Sequence, residues 1–246
     1  MDARNPDTPF ARRLARFAGE VLCETLWPTR CALCDRPGDV LCPRCEAALP
    51  YNDYWRACPR CGSPYGARQC DFCNPVMMQR IGLAELPFDG CASATRFAGG
   101  TGQLVRLFKD QGEQRLAGVL ARLMVQVLPP GWPLEVVAYV PASRAAVRRR
   151  GFDHGELLGR EVAACVGLEC LPLLRRPRTR DQRGLSARGR IANLAGRFEA
   201  AGAAPCRGGV LLVDDVMTTG ATLCAAAAAL RSAGYPALYG LTFARV

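Results

Sequence analysis

Four Cys-x-x-Cys pairs crowd residues 31–73 of this 246-residue chain, and no other feature of the sequence restricts its folding so tightly. The pattern is Cys31-x2-Cys34-x7-Cys42-x2-Cys45, then Cys58-x2-Cys61-x8-Cys70-x2-Cys73. Two intervening residues let a tight turn aim both sulfurs at one tetrahedral ion. Cys42-Pro-Arg-Cys45 and Cys58-Pro-Arg-Cys61-Gly62 carry the proline and glycine that such turns favour. Eight thiolates fill two four-sulfur sites and leave no coordination position open. That predicts two structural zinc ions rather than catalytic zinc, redox dithiols or an iron–sulfur cluster. Sequential and crossed pairing both satisfy the spacing. A segment this short has little core, so metal binding should supply most of its folding free energy, as a module separate from the rest. Arg36, Arg44, Arg56, Arg60 and Arg68 suit phosphate contacts and a solvated surface equally well.

The remaining composition is that of a soluble globular chain, half apolar and 22% charged. No apolar run approaches the roughly 18–20 residues of a membrane span. The first residues lack the basic-then-apolar layout of a secretion signal. A cytoplasmic setting with reduced thiols is therefore expected. Nine of the fourteen cysteines precede residue 75; Cys91, Cys165, Cys170, Cys206 and Cys224 read as small buried hydrophobes. The net charge is +10, Lys109 is the only lysine and His154 the only histidine. An arginine-dominated excess favours an anionic partner (nucleotide, phosphosugar or nucleic acid), or reflects no more than codon preference.

Phe10, Leu14, Phe17, Val21 and Leu22, with Arg12, Arg13 and Arg16 on the other face, put an amphipathic helix over residues 10–27 that suits a membrane or nucleic acid but more commonly docks on the protein itself. From residue 91 onward, strands alternate with helices. Strands are predicted over 92–97, 136–140, 168–174, 210–213 and 237–244. Helices are predicted over 101–128 with a break near Gly112, over 152–166 and over 222–232. Residues 175–197 form an arginine-rich connection. The alternation predicts an α/β parallel sheet flanked by helices on both faces, preceded by the small cysteine module. The domains divide at 78/79.

The stretch most informative about function is Val210-Leu211-Leu212-Val213-Asp214-Asp215-Val216-Met217-Thr218-Thr219-Gly220-Ala221-Thr222. An apolar strand runs into two acids, a short loop and a helix start. Unsatisfied N–H groups and the helix dipole favour an anion there. Gly220 lets the backbone approach closely, and Thr218, Thr219 and Thr222 add hydroxyl donors. Two carboxylates cannot hold a phosphate, but they accept from sugar hydroxyls or help hold a metal. Phosphate at one end and a vicinal diol at the other describe a ribose 5-phosphate. An ordinary N-capped helix after a buried strand is the plainer alternative. A P-loop is excluded by the missing Gly-Lys-Ser/Thr ending.

At these residues the sequence resembles the type I phosphoribosyltransferases, and more closely their ComF/GntX-like family, with its N-terminal double zinc ribbon. The resemblance covers nearly the whole chain. It runs from Leu26-Trp27-Pro28 and the cysteines through Phe108-Lys109, Val140-Pro141-Ala142-Ser143-Arg144 and Arg150-Gly151-Phe152-Asp153. It continues through Arg178-Thr179, Gln182, Leu185-Ser186, Arg190 and Asn193-Leu194 to the signature. The family usually has Asn-Gln where this chain has Asp153-His154. The resemblance implies phosphoribosyl pyrophosphate (PRPP) with Mg²⁺ as cosubstrate. Asp214 and Asp215 would hold the ribose hydroxyls, and Thr218, Thr219, Gly220, Ala221 and Thr222 the 5-phosphate. Arg144 would meet pyrophosphate, with Lys109 and Gln182 as further catalytic candidates. Residues 178–190 would form a loop that closes over the site. From Arg144 to Arg190 twelve arginines face five acids, a balance suited to closure over a polyanion.

Three functions follow as alternatives. One is a pentosyl-group transferase with an acceptor the sequence does not name. The second is a non-catalytic accessory factor that binds single-stranded DNA and keeps the fold as a ligand sensor, since family relatives are associated with DNA uptake in competence. A purely structural zinc-ribbon adaptor would leave the signature unexplained.

Overall fold

A computed structural model describes residues 28–80, 83–177, 198–202 and 206–246. The helix expected over 10–27, the closing loop 178–190 and Gln182 lie outside the described residues. The chain divides into two compact units, Met1–Ala47 and Ala48–Val246. The boundary therefore falls one cysteine set earlier than the 78/79 division read from the sequence.

In the first unit the Cys31–Cys34 turn closes through the Asp35 N–H on the Cys31 carbonyl and the Cys31 N–H on the Arg36 carbonyl. Helix α1 (Pro43–Ala47) carries Cys45 and has no fully buried residue.

The second unit is built on five parallel strands, β1 (Gly90–Arg96), β2 (Leu134–Tyr139), β3 (Glu169–Leu171), β6 (Gly209–Met217) and β7 (Ala237–Arg245), in the order β1-β7-β6-β2-β3. Between them run α2 (Pro75–Arg80), α3 (Gly100–Asp110), α4 (Leu116–Val125), α5 (Arg144–Arg150), α6 (His154–Val166) and α7 (Ala221–Ser232). The short pair β4 (Leu174–Arg175) and β5 (Glu199–Ala200) is antiparallel. The expected parallel sheet with helices on both faces is present. Helices α4 and α6 cover one face, and α7 with the β4–β5 pair covers the other.

Three departures from the sequence reading matter for the site. The break near Gly112 is real, but residues 101–128 give two helices with the turn 111–115 between them. Residues 144–150, left without an element between the expected strand and helix, form α5, N-capped by the Ser143 hydroxyl accepting from the Ala146 N–H at 3.2 Å. Strand β6 does not stop at Val213. It keeps pairing with β7 as far as Met217 opposite Arg245, because β7 is long enough to supply partners.

Beneath α7 lies one continuous apolar layer. It joins Val210, Leu212, Leu223 and Leu230 to Cys58, Cys61, Cys73 and Met78. The second cysteine set is thus part of the core of the sheet. Its approach is fixed along the outer edge of β1. There the Arg96 N–H donates to the Pro50 carbonyl at 2.8 Å and the Asn52 N–H to the Ala94 carbonyl at 2.9 Å.

Candidate functional site

The strand order reverses between β2 and β6. The chain goes outward from β2 to β3 and later returns to β6 on the other side of β2. A crevice opens beyond the carboxyl ends of two such strands, where open α/β sheets bind ligands. Here β6 outruns β2, so Asp214 and Asp215 stand at the crevice within the strand rather than after it.

Successive strand residues face opposite sides. Val210 and Leu212 join the layer under α7, so Leu211, Val213 and Asp215 fall on the α3/α6 side. Lys109, at the end of α3, reaches Asp215 with Nζ 2.9 Å from Oδ1 and 2.7 Å from Oδ2. His154, the first residue of α6, brings Nε2 to 4.0 Å from Asp215 Oδ2. The only lysine and the only histidine of the chain therefore meet at one carboxylate. Burial works against the charge of Asp215, but Lys109 and then His154 outweigh it and hold its carboxyl below the ordinary value. Asp214 goes the other way. Burial, and next the charge of Asp215, push it well above the ordinary carboxylate value. Burial likewise holds the His154 imidazole below its usual value, although Asp215 favours its charge. Arg150 Nη1 lies 3.2 Å from His154 Nδ1, and Arg150 Nη2 donates to Asp110 at 2.9 Å.

Asp153 and His154, the pair that departs from the family pattern, both have structural partners. Asp153 Oδ1 caps α6 through the N–H groups of Gly155 and Glu156, while Oδ2 accepts from the Ala142 N–H at 2.9 Å. Arg176 Nε donates to the Pro141 carbonyl at 2.7 Å. The turn 141–143 is therefore tied down on two sides. Arg144 is exposed at the start of α5, on the same rim.

The turn after β6 is held differently. Thr218 and Thr219 are exposed, Gly220 is buried at φ 73°, and α7 starts at Ala221 with no side-chain cap. The positive φ is what favours glycine here; a Cβ would also lie 2.7 Å from Met217 Cε, the movable end of a flexible side chain. The N–H groups of the first turn of α7 thus stand beside two exposed hydroxyls, and Thr222 is partly buried among them. This turn brings together all five loop residues named from the sequence.

The cysteines group sequentially, Cys31, Cys34, Cys42 and Cys45 in one set and Cys58, Cys61, Cys70 and Cys73 in the other, with each set's sulfurs within 4.8 Å of one another. Sulfurs around one tetrahedral zinc lie about 3.8 Å apart. Cys34–Cys42, Cys58–Cys73 and Cys61–Cys70 stand at 3.7, 3.6 and 3.4 Å. Thiols this close share protons. A hydrogen bond from Cys61 draws Cys58 down to about 4, while burial and then Cys58 push Cys73 up to about 12. Cys45 is pushed up to about 12, chiefly by Cys34. Four thiolates need a cation to coexist, so both sets fit zinc.

Sequence reasoning missed three residues. His154 entered only as a departure from a pattern, although its being the lone histidine was a signal. Phe72 is hidden inside a Cys-x-x-Cys pair. Arg245 was visible as a charge in the otherwise apolar run Leu241-Thr242-Phe243-Ala244.

No family model matches the chain. Competence protein F of Haemophilus influenzae is 29% identical over 208 residues, 79% of this chain and 85% of that protein. The chain is similar to competence protein F over most of its length. Among solved structures it is similar to adenine phosphoribosyltransferase of Saccharomyces cerevisiae (TM-score 0.36, 19% identity, 57% of this chain and 72% of that one). The enzyme of Leishmania tarentolae gives a TM-score of 0.31 at 14% identity, over 62% of this chain and 77% of that one. Among the described residues, no helix is long and apolar enough to cross a membrane.

Proposed function

We propose that this chain is a phosphoribosyltransferase-like protein that binds PRPP with Mg²⁺ in the β2/β6 crevice and serves in competence. One observation carries the reading: a helix start with glycine at its N-cap and two exposed threonines, only the Thr219 hydroxyl accepting from its first N–H, stands directly beyond two buried acids. The turn 218–222 takes the 5-phosphate through backbone N–H groups and hydroxyls. Asp214 and Asp215 accept from the ribose hydroxyls, so an incoming hydroxyl competes with Lys109 for Asp215. Arg144 faces the pyrophosphate. Transfer at the anomeric carbon asks the protein for positioning and charge stabilisation rather than a nucleophile. The carboxylate oxygens are hard donors of the kind Mg²⁺ takes, with ligand phosphates completing its shell. When bound, it neutralises charge on the leaving pyrophosphate. Zinc in both cysteine sets is part of the same proposal.

Calorimetry with PRPP and Mg²⁺ tests the reading, followed by turnover with a panel of acceptors. Asp215→Asn should weaken binding about ten- to a hundredfold, the worth of a charge-assisted hydrogen bond. Parent-like binding by that variant would remove the ribose assignment.

A second reading, a single-stranded DNA-binding accessory factor, is favoured by the name of competence protein F and by the +10 charge. DNA affinity should then fall steeply with salt as counterions are released. Absence of binding at low salt would dismiss it.

A further inference from the structure

Among the described residues the largest fully buried side chain is an arginine, Arg245, at the end of β7. Its guanidinium lies over the Phe72 ring, 3.8 Å from the centroid. Nη1 donates to the Met217 carbonyl at 2.7 Å, to the Val246 carbonyl at 3.1 Å and to the Thr218 carbonyl. Nε and Nη2 are buried with no hydrogen-bond partner. Burying a guanidinium with open donors is costly unless an anion faces it. Burial works against its charge and prevails; the sulfurs of Cys61, Cys91 and Cys70 oppose that, and two of these belong to the second cysteine set, whose Cys70–Cys73 turn carries the Phe72 ring under the guanidinium. Four thiolates around one divalent ion keep a net negative charge, which supplies the missing anion.

The other face of this arrangement is the ligand turn. Arg245 holds the carbonyls of Met217 and Thr218, the two residues entering it. Phe72, between Cys70 and Cys73, places two ring carbons 3.5 Å from where a Gly220 Cβ would stand. The second cysteine set thus touches the turn through one charged and one aromatic side chain, both immobilised by packing.

We infer that Arg245 is the counter-charge of the zinc-loaded second cysteine set and, with Phe72, transmits its occupancy to the 218–220 turn. Arg245 is then a positioning residue for the phosphoribosyl ligand, and only this last step rests on the proposed function. Coupling of this kind is reciprocal, so ligand at the turn must also tighten zinc binding at the second set.

The test uses the full chain with both sites filled. Zinc release to a chromogenic chelator is followed for the parent, Arg245→Met, Arg245→Lys and Phe72→Leu. Hydrogen exchange of residues 216–222 is measured on the same samples without ligand, and PRPP–Mg²⁺ binding by calorimetry. Arg245→Met should release the second zinc about ten- to a hundredfold faster, as loss of a partner behind a metal ligand does. It should also raise exchange at 216–222 and leave the first zinc unaffected. Arg245→Lys should restore much of the zinc retention but not the turn protection, since an ammonium cannot serve both sides. Should Arg245→Met fail to fold, Arg245→Lys and Phe72→Leu carry the exchange measurement. Parental zinc release in Arg245→Met overturns the counter-charge. Faster release with unchanged exchange at 216–222 overturns the transmission. A parent that binds no PRPP, with both ligand-free effects present, defeats the proposed function and the ligand step while leaving the zinc-to-turn link standing.

Discussion

The two cysteine sets have nearly the same spacing and different surroundings. In the first, Cys31 and Cys42 are buried but Cys34 is exposed, and the helix that carries Cys45 buries nothing fully. In the second, Cys58, Cys61 and Cys73 are buried in the same apolar layer as Leu212, Leu223 and Leu230. Among the described residues, the first set organises a short turn and helix of its own. The second organises the underside of a sheet and the turn at its crevice. One motif therefore does two jobs, and what distinguishes them is the apolar surface each can bury.

The sharpest way to break that contrast is to remove one sulfur from each set. Cys73→Ser should destabilise the whole of Ala48–Val246. The metal contributes about 10 kcal/mol or more to a structural site, comparable to the entire stability of a domain of about 5–15 kcal/mol. Cys34→Ser should leave the main unfolding transition in place and lower zinc from two to one per chain. Equal effects of the two changes in calorimetry would dissolve the distinction. A sequence reader would expect loss of Cys58 to spare the later domain; its place in the core predicts the opposite.

A second experiment asks whether the sheet leans on its metal set alone. Lys109→Met strands a carboxylate that is 2% exposed, and breaking such a pair costs about 3–5 kcal/mol. The double change Lys109→Met with Asp215→Asn should recover most of it in a denaturant titration. If the single change is silent, the pair contributes nothing to the fold.

Glycines sharpen the contrast at lower energy. Gly38 in the first unit and Gly62 beside Cys61 both have positive φ, +121° and +67°. A Cβ at Gly38 meets nothing within 4 Å, whereas at Gly62 it meets Ser93 Oγ at 3.0 Å and the Cys91 carbonyl at 3.2 Å. Gly38→Ala should cost about 1–2 kcal/mol of backbone strain. Gly62→Ala should add about 1–3 kcal/mol of overpacking against β1. Thermal unfolding of both variants separates the two.

The smallest effect is on pH dependence. Burial keeps the folded His154 below its ordinary value near 6.5, so the unfolded chain binds that proton more readily. Its contribution is fully present above pH 6.5 and is lost as pH falls through the folded value. His154→Gln should flatten that part of the stability profile. An unchanged slope would assign the acid loss to other groups.

Much of this was legible beforehand because it depends on local chemistry. The cysteine spacing dictates four-sulfur sets whatever surrounds them, and Val210–Val213 followed by acids and threonines dictates a strand, turn and helix. Sequence spacing left open which pairs combine, since sequential and crossed sets are locally equivalent. It also placed the end of β6 too early, because Asp214 and Asp215 look like a strand end until β7 supplies partners beyond them. Long-range juxtapositions were not readable. Lys109 and Asp215 are 106 residues apart, and nothing local to either announces the other. Arg245 and Phe72 likewise acquire meaning only from the turn and sulfurs between them.

The meeting of the lone lysine and the lone histidine at Asp215 has a practical consequence. In the unaltered sequence, one side-chain ammonium and one imidazole exist, and both stand at the crevice. A nuclear magnetic resonance spectrum of selectively ¹⁵N-labelled lysine or histidine therefore contains a single side-chain reporter, already in place. A ligand that displaces Lys109 from Asp215 shifts that one signal, so occupancy of the crevice is read without a probe being attached.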